Sequence, residues 1–259
     1  MNIVVLVKQV PDTWAERTLR PDDSTLDRAS VDGVINELDE YAIEEGLRLA
    51  EAHGGEVTIL TMGPDKASES IRKALSMGAD KAIHVIDDGL AGSDALATSA
   101  VLAAVLGRAG FDLVIAGAES TDARMGVMAA MLAERLGVPQ VSLASKVDVD
   151  GGSLTVHRQT DYGYDKVEAS LPAVISVVEK INEPRYPSFK GIMAAKKKPV
   201  EVLSLAEAGV DPSQAGLAAA ATEVISFAKR PPRQAGTVVK DEGDGGGKAA
   251  EFLAAQKFI

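Results

Sequence analysis

The first half of the chain alternates short, continuous apolar runs with segments of helical spacing. Asn2–Val7 is a β-branched run typical of a strand buried on both faces of a parallel sheet, and Glu56–Gly63, Lys81–Ile86 and Asp112–Gly117 are similar. Helices are predicted at residues 38–50, 64–77, 93–108 and 124–136. Four alternations with short connections predict a doubly wound α/β fold, with a parallel sheet and helices on both faces.

Two regions interrupt this alternation. Residues 12–35 mix polar and apolar positions around Pro21 and Asp32-Gly33, which predicts a hairpin excursion over the surface. After Pro139 the pattern changes to strands without intervening helices. We therefore expect an antiparallel section appended to the parallel sheet, with strands at Val141–Val149, Ser153–Gln159, Lys166–Leu171 and Ala173–Val178.

The chain changes character again at Lys180. Prolines, a triple lysine, an alanine-rich piece and three glycines at 245–247 replace the regular pattern, and only Ala249–Phe258 has the spacing of a helix. We interpret the glycines as a flexible joint. The predicted organisation is one α/β domain at residues 1–180 and an extended C-terminal arm at 181–259. An isolated arm would be disordered, so its apolar residues predict docking on another chain.

Composition and charge exclude several functional classes. The 259 residues carry 27 Lys and Arg against 38 Asp and Glu, and this net charge of −11 would repel nucleic acid. The absence of cysteine excludes thiolate catalysis, disulfides and cysteine-ligated metals, and three scattered histidines predict no metal site. No apolar stretch approaches the ~18 residues of a membrane span, and no signal peptide is evident. We expect a cytoplasmic protein without membrane insertion.

Standard nucleotide-binding motifs are missing. The glycines before Lys248 do not form a P-loop, because Glu242 replaces its first glycine and Ala249 its magnesium-binding Ser or Thr. No G-x-G-x-x-G opens a helix after a strand. Position remains as a guide, since ligands of doubly wound sheets bind at the carboxyl ends of the strands. The candidates there are Lys8–Val10, Met62–Pro64 and above all the loop Gly117–Gly126.

The loop Gly117–Gly126 has the composition of a phosphate site. A glycine at each end permits close backbone approach, hydroxyl side chains lie between, and Arg124 stands at the predicted helix start. The alternative is an ordinary strand-to-helix loop capped by its Ser, Thr and Asp residues. Asn36 and Asp39, at the first helix, could reach a ribose or base, although Asp39 also suits a helix N-cap.

Aromatic residues mark two further places. For Trp14, the single tryptophan, a hydrophobic contact is favoured over cofactor stacking. Glu183–Phe189 is a proline-stiffened turn with an aromatic, followed by Ile192-Met193 and the lysines at 196–198. Such a turn suits either an anchor for partner recognition or the cover of a satellite core. The lysines alone are typical of a solvated face.

A set of short motifs together resembles the β subunit of electron-transfer flavoprotein. Each piece is short, but their order and spacing match over essentially the whole chain, which makes the set specific. The matching pieces are Val7–Asp12, Asn36, Asp39–Glu44, Met62–Pro64, Ala74–Asp80, Asn182–Tyr186, Ile192-Met193, the lysine run, Gly209–Asp211 and Pro231–Arg233.

The resemblance implies a fold of the adenine-nucleotide α-hydrolase-like (HUP) type and a subunit of an αβ heterodimer. In that family the heterodimer carries electrons from flavin dehydrogenases, such as acyl-CoA dehydrogenases, to a membrane quinone oxidoreductase. FAD lies mostly in the α subunit and performs the redox chemistry, so the β chain is a carrier subunit without a catalytic acid or base. The β subunit covers one side of the flavin and buries a structural AMP. By position, the AMP residues would be Leu6, Asn36, Asp39, Met62, Gly117, Ala118, Glu119, Ser120, Thr121, Asp122, Ala123, Arg124, Met125 and Gly126.

The same resemblance implies two contact surfaces. Thr13 and Leu38 fall where the family often has aromatic residues near the FAD, and Trp14 would substitute for one of them. Phe189 falls in the loop that recognises partner dehydrogenases, where the family typically has leucine. The recognition residues would be Arg185, Tyr186, Phe189, Ile192 and Met193.

The chain also departs from the family pattern. Its phosphate loop is shorter than the common form and has Arg124-Met125-Gly126 in place of a run of aspartates and Gln-Thr-Gly. The antiparallel section at Val156–Gly163 lacks the usual pair of glycines after an acidic residue. Some members bind a second FAD instead of AMP and split electron pairs between two acceptors. Their usual loop motif is not evident here, so AMP is favoured.

Two other functions are compatible with the same fold. A stand-alone adenine-nucleotide sensor resembling universal stress proteins would have no use for the apolar arm or for Glu183–Tyr186. An ATP-using ligase or pyrophosphatase would need a Ser-Gly-Gly-type loop after the first strand, which is missing.

Overall fold

The residues described by this computed structural model, 1–233, 236 and 238–259, form six helices and eleven strands. Residues 234, 235 and 237 of the predicted arm lie outside the described residues. The helices are α1 Glu37–His53, α2 Ser68–Met77, α3 Ala95–Ala109, α4 Met128–Leu136, α5 Phe189–Ala195 and α6 Gly245–Ala255. The strands are β1 Asn2–Leu6, β2 Gln9–Pro11, β3 Gly33–Ile35, β4 Glu56–Met62, β5 Lys81–Val85, β6 Leu113–Gly117, β7 Gln140–Asp150, β8 Ser153–Thr160, β9 Gly163–Ser170, β10 Ala173–Val177 and β11 Val200–Leu203.

A mostly parallel, nine-stranded sheet runs through the structure in the order β11-β5-β4-β1-β6-β10-β7-β8-β9. The strands from β11 to β7 pair in parallel, and β8 and β9 are added antiparallel, which confirms the predicted fold class. β2 and β3 pair with each other in a separate two-stranded sheet, at the base of the predicted hairpin excursion. Because β1 lies between β4 and β6, the winding reverses at β1, and the carboxyl ends of these three strands meet at the switch point.

The side chains of β1 show why a continuous apolar run belongs at the centre of this sheet. Ile3 and Val5 pack into a core shared with α1 and α2. Val4 and Leu6 pack into a second core shared with α3 and α4. Successive strand residues point to opposite faces, so a strand covered on both sides needs apolar residues at every position.

The strand β10 differs from the prediction of a fully antiparallel section after Pro139. It lies between β6 and β7 and is parallel to both. The crossover through α4 skips one position in the sheet, and the chain fills that position after the β8–β9 hairpin. All five β10 residues are buried, as a strand inside a parallel sheet requires.

The helix predicted at 124–136 begins later, at Met128. Arg124 and Gly126 have φ angles of 51° and 63°, in the left-handed region that a right-handed helix cannot contain. The loop after β6 therefore extends across the whole of Gly117–Gly126.

The contacts of the described residues divide the chain at a different place from the predicted boundary at residue 180. β11 joins the edge of the main sheet beside β5, and α5 packs on α2. The structure separates instead into a unit at Met1–Val224 and a second unit at Ile225–Ile259. Within residues 181–224, prolines and lysines separate short elements that are held by strand pairing and helix packing.

In the second unit, α6 begins at Gly245, so the glycines at 245–247 form its first turn and not the predicted joint. Asp241 Oδ1 accepts the N–H groups of Gly243 and Gly245 at 2.9 and 2.8 Å, which supports this helix start. The unit exposes Ile225, Phe227, Val238, Val239, Phe252, Leu253, Phe258 and Ile259. No described helix is long and apolar enough to cross a membrane.

Candidate functional site

Asn36 ties the loop Gly117–Gly126 to the start of α1 at the switch point. Its side chain, 1% exposed, donates from Nδ2 to Asp39 Oδ1 at 2.8 Å and to the Glu119 carbonyl at 3.0 Å. Its Oδ1 accepts the Thr121 N–H at 3.0 Å. One side chain thus fixes two points of the loop at the switch point.

Asp39 is buried between this network and the end of β1. Its Oδ2 accepts the Lys8 N–H at 2.8 Å. Burial raises the pKa of Asp39 to about 7, although the Asn36 amide and the Lys8 N–H favour the charged form. The N-cap reading of Asp39 is wrong, because Asn36 occupies that position and Asp39 lies inside the first turn.

Gly117 allows the end of β6 to approach α1 closely. A Cβ atom there would lie 2.5 Å from Asp39 Oδ1 and 2.8 Å from Leu38 Cβ, closer than real side chains come. The glycine therefore serves the packing of strand against helix. It also places Leu38 beside the loop.

An ionic cluster made of Lys8, Arg28 and Asp122 closes the same loop. Lys8 Nζ lies 2.9 Å from Asp122 Oδ1 and 3.2 Å from Ser120 Oγ, and Arg28 Nη2 lies 2.6 Å from Asp122 Oδ2. Burial alone would raise the pKa of Asp122, but the two cations and the Ser120 hydroxyl hold it well below its ordinary value. Asp122 is therefore an anion that orders two cations at the switch point.

These residues fit the phosphate group that the family resemblance implies. Two cations face one carboxylate, which leaves an excess of positive charge in the cluster. The hydroxyl oxygen of Thr121 is buried and has no hydrogen-bond partner among the described residues, so it can serve a ligand oxygen. Arg124, the cation expected from the sequence, is 68% exposed in its side chain and lies 3.7 Å from Glu119.

The remaining predicted nucleotide residues differ in how far they are exposed to solvent. Leu6 is buried in the second core, and Met62 is half-buried at the end of β4. Ala118 is held by an N–H···O bond to Val177 at 2.9 Å. Ala123, Met125 and Gly126 lie on the exposed part of the loop.

A cavity of about 420 Å³ lies on the other side of the β2–β3 hairpin. Thr13 and Trp14 line it together with residues of α1 and α2, whereas Leu38 is not among its lining residues. Trp14 is 96% exposed, so the favoured reading of a hydrophobic contact is wrong for the described chain. The Ser70 hydroxyl in its wall is buried and unpartnered among the described residues.

Arg185 anchors the segment after β10 on α1. Its guanidinium bonds to Glu44 at 2.7 and 3.0 Å and to Glu51 at 2.6 and 3.2 Å. Asn182 donates to the Tyr41 carbonyl at 3.1 Å and to Glu45 at 3.0 Å. These bonds hold the Arg185 side chain against α1, whereas the family resemblance places it on the recognition surface.

The other predicted recognition residues form an exposed apolar surface, which we call the α5 surface. It consists of Tyr186, Phe189, Ile192 and Met193; Tyr186 is 94% exposed and Phe189 81%. Phe189 begins α5 and is not in a loop. The alternative of a satellite core under these residues is wrong, because their side chains are open to solvent.

Lys198 ties the segment that follows α5 to the end of α2. Its ammonium donates to the carbonyls of Leu75, Gly78 and Ala79 at the end of α2, at 2.9, 3.0 and 2.6 Å. A cation at these carbonyls complements the helix dipole. The lysine run is thus only partly the solvated face that its composition predicts.

Sequence reasoning missed Arg28 and the buried glutamates of α1. Arg28 meets Asp122 across 94 residues, and no local pattern marks such a pair. Glu44 and Glu45 are buried on α1, where they accept hydrogen bonds from Arg185 and Asn182 respectively. The helical spacing of α1 does not indicate these partners, because they lie about 140 residues further along the chain.

Comparison with known proteins gives a consistent result. The electron transfer flavoprotein domain model matches residues 23–208. The electron transfer flavoprotein subunit beta of Mycobacterium tuberculosis is 54% identical over 264 residues, covering 100% of this chain and 99% of the relative. The corresponding subunit of Megasphaera elsdenii is 37% identical, with both chains covered completely. The caffeyl-CoA reductase-Etf complex subunit CarD of Acetobacterium woodii is 36% identical, over 92% of each chain.

Proposed function

Because the chain belongs to the electron-transfer flavoprotein family as a β subunit, we propose that it completes a heterodimeric electron carrier with an α subunit. FAD, held mostly by the α subunit, supplies the redox chemistry when bound. The residues of this chain bind a structural nucleotide, cover the flavin and present a docking surface. None of these roles needs an acid, a base or a nucleophile.

The nucleotide of the proposal is AMP, bound at the switch point. The observation that carries it is the network in which Asn36, Asp39 and the Lys8–Asp122–Arg28 cluster converge on one loop. Asn36 and Asp39 would hold the loop in place, and the positively charged end of the loop would attract the phosphate. The nucleotide fills and rigidifies the subunit, and it does not react.

The flavin-facing surface of the proposal is the 420 Å³ cavity beside Thr13 and Trp14. An exposed indole offers an apolar face on which a flavin ring can pack. Leu38 lies beside the loop Gly117–Gly126, so it would contact the FAD from the switch-point side and not from the cavity. The exposed apolar side chains of residues 225–259 would contact the α subunit.

The α5 surface is the proposed docking site for flavin dehydrogenases, such as acyl-CoA dehydrogenases. Exposed aromatic and methionine side chains on a well-anchored segment are typical of binding anchors. The Acetobacterium relative is named as a subunit of a caffeyl-CoA reductase complex, which supports partners that act on CoA thioesters. The net charge of −11 would steer docking to basic partner surfaces, and onward transfer would go to a membrane quinone oxidoreductase from the cytoplasm.

Co-expression with the α subunit, followed by denaturation and identification of the released nucleotides, tests this function. We expect a yellow heterodimer that releases one FAD and one AMP. Release of two FAD would replace AMP by the second flavin of the electron-splitting type. A stable monomer that binds or hydrolyses ATP, with no heterodimer formed, would favour the sensor or the ligase and contradict the proposal.

A further inference from the structure

We propose that Arg28 binds the phosphate of the nucleotide together with Lys8, so that the surface excursion supplies a ligand which the loop after β6 lacks. This inference rests on the proposed nucleotide site and names the residue that selects for a phosphate there. The ligand class is a nucleoside monophosphate. Arg28 stands outside every motif that suggested the site.

The position of Arg28 relative to the loop is the first support. Its Nη2 lies 2.6 Å from Asp122 Oδ2, and Lys8 Nζ lies 2.9 Å from the other oxygen of the same carboxylate. The Asp122 side chain is fully buried, whereas that of Arg28 is 45% exposed. The guanidinium therefore covers the loop from the solvent side and reaches into the site.

The hydrogen-bonding capacity of the two cations is the second support. A guanidinium has five N–H donors in a planar fork, and the bond to Asp122 uses one of them. The Lys8 ammonium has three donors, of which Ser120 and Asp122 take two. Donors thus remain on both groups at one place, and a phosphate accepts several at once.

The buried Thr121 hydroxyl is the third support. It belongs to the same loop and has no partner among the described residues. Buried hydroxyl groups in proteins are almost always satisfied, so an unpaired one between Ser120 and Asp122, the two residues that bond to the cations, points to a ligand oxygen. A single phosphate group would engage the hydroxyl, the guanidinium and the ammonium.

The comparison with Arg124 explains why the excursion is needed. Arg124 occupies the loop position where a phosphate ligand was expected, but its side chain is 68% exposed and faces Glu119 at 3.7 Å. Arg28 supplies the positive charge from a segment distant in sequence.

Binding measurements on the co-expressed heterodimer test this inference. Equilibrium dialysis of nucleotide-depleted protein would compare AMP with adenosine for the wild type, Arg28→Gln and Arg28→Lys. We expect Arg28→Gln to weaken AMP binding about 10- to 100-fold and to leave adenosine binding unchanged, because only AMP carries the phosphate. The AMP affinity of Arg28→Lys should lie between those of the wild type and Arg28→Gln, since lysine keeps the positive charge and lacks the planar set of N–H donors.

Arg20→Gln is the matched control, because Arg20 lies in the same excursion and pairs only locally, with Asp22 and Asp23. Its AMP and adenosine affinities should equal those of the wild type. Equal loss of both ligands in Arg28→Gln, or no change in either, would overturn the role of Arg28 and leave the nucleotide site standing. A wild-type heterodimer that binds neither ligand would overturn both the site and this inference.

Discussion

Single residues at the switch point were partly visible in the sequence. The loop Gly117–Gly126 follows from the rule that ligands bind at strand ends, and Asn36 and Asp39 were noted for their place at the first helix. The structure joins all three through hydrogen bonds. Arg28 could not be found in this way, because an ion pair between distant segments leaves no periodic pattern. The burial of Asp39 was equally hidden, since an aspartate in the first turn of a helix is ordinarily exposed.

The buried carboxyl of Asp39 predicts a stability that depends on pH. Its pKa is about 7 in the folded chain and near 4 in the unfolded chain, so folding favours the protonated form. This contribution is fully present below pH 4 and is lost as pH rises through 7. From pH 5 to pH 8, Asp39→Asn should gain on the order of 3 kcal/mol in unfolding free energy relative to the wild type, measured by urea denaturation.

Asp165→Asn serves as the control for this experiment, because Asp165 is exposed on β9. Its unfolding free energy should follow that of the wild type between pH 5 and pH 8. Parallel pH profiles for Asp39→Asn and the wild type would show that the carboxyl titrates normally in the folded chain.

The exposed ring of Phe189 predicts a defect confined to docking. Phe189→Ala removes the apolar anchor of the α5 surface, so electron transfer from a dehydrogenase should slow about 10-fold or more, while FAD and AMP content stay at the wild-type level. Stopped-flow reduction of the heterodimer measures the rate. Leu96→Ala, on the exposed side of α3, is the control. A parallel loss of cofactor in Phe189→Ala would assign the residue to stability.

Whole elements were predicted best where apolar residues fill both faces of a strand. Short continuous apolar runs are typical of strands buried on both faces, and they correctly predicted β1, β4, β5 and β6. β10 carries the same signal, but its partners were misjudged, since pairing depends on where the chain returns and not on local pattern. α5 and β11 are short and are stabilised by tertiary contacts, which sequence periodicity does not report.

The packing of α5 on α2 depends on Gly191. A Cβ at this position would lie 2.4 Å from the Ser76 carbonyl oxygen, so α5 would have to shift. We expect Gly191→Ala to lower the unfolding free energy by about 1–3 kcal/mol and to slow dehydrogenase docking, since the α5 surface moves with the helix. Gly107→Ala on α3, where a Cβ meets nothing within 4 Å, should leave both unchanged or stabilise slightly. Equal effects of the two substitutions would argue against a specific contact at Gly191.

At the scale of the whole molecule, the structure separates into two units that differ in how many of their described residues are buried. Every buried core residue that the structure describes lies at or before Ala215, inside the unit Met1–Val224. The unit Ile225–Ile259 has no buried residue among those described, yet it carries many exposed apolar side chains. The sequence predicts an apolar arm from residue 181, whereas the contacts of β11 and α5 group residues 181–224 with the first unit.

Truncation after Val224 separates the two roles. The shortened chain should unfold cooperatively, with a far-ultraviolet circular dichroism spectrum of mixed α/β type, because both cores remain. Its association with the α subunit should weaken strongly, since the exposed apolar residues of the second unit are gone. Co-purification with the α subunit measures this. A truncated chain that still forms the full heterodimer would place the interface elsewhere.

The helix α2 connects the two surfaces that the proposed function uses. Its early residue Ser70 lines the cavity, while the Ser76 carbonyl near its end lies against Gly191 of α5. These two positions of α2 are ~9 Å apart along the helix axis at 1.5 Å per residue. A displacement of this one helix would therefore move the wall of the cavity and the base of the α5 surface together.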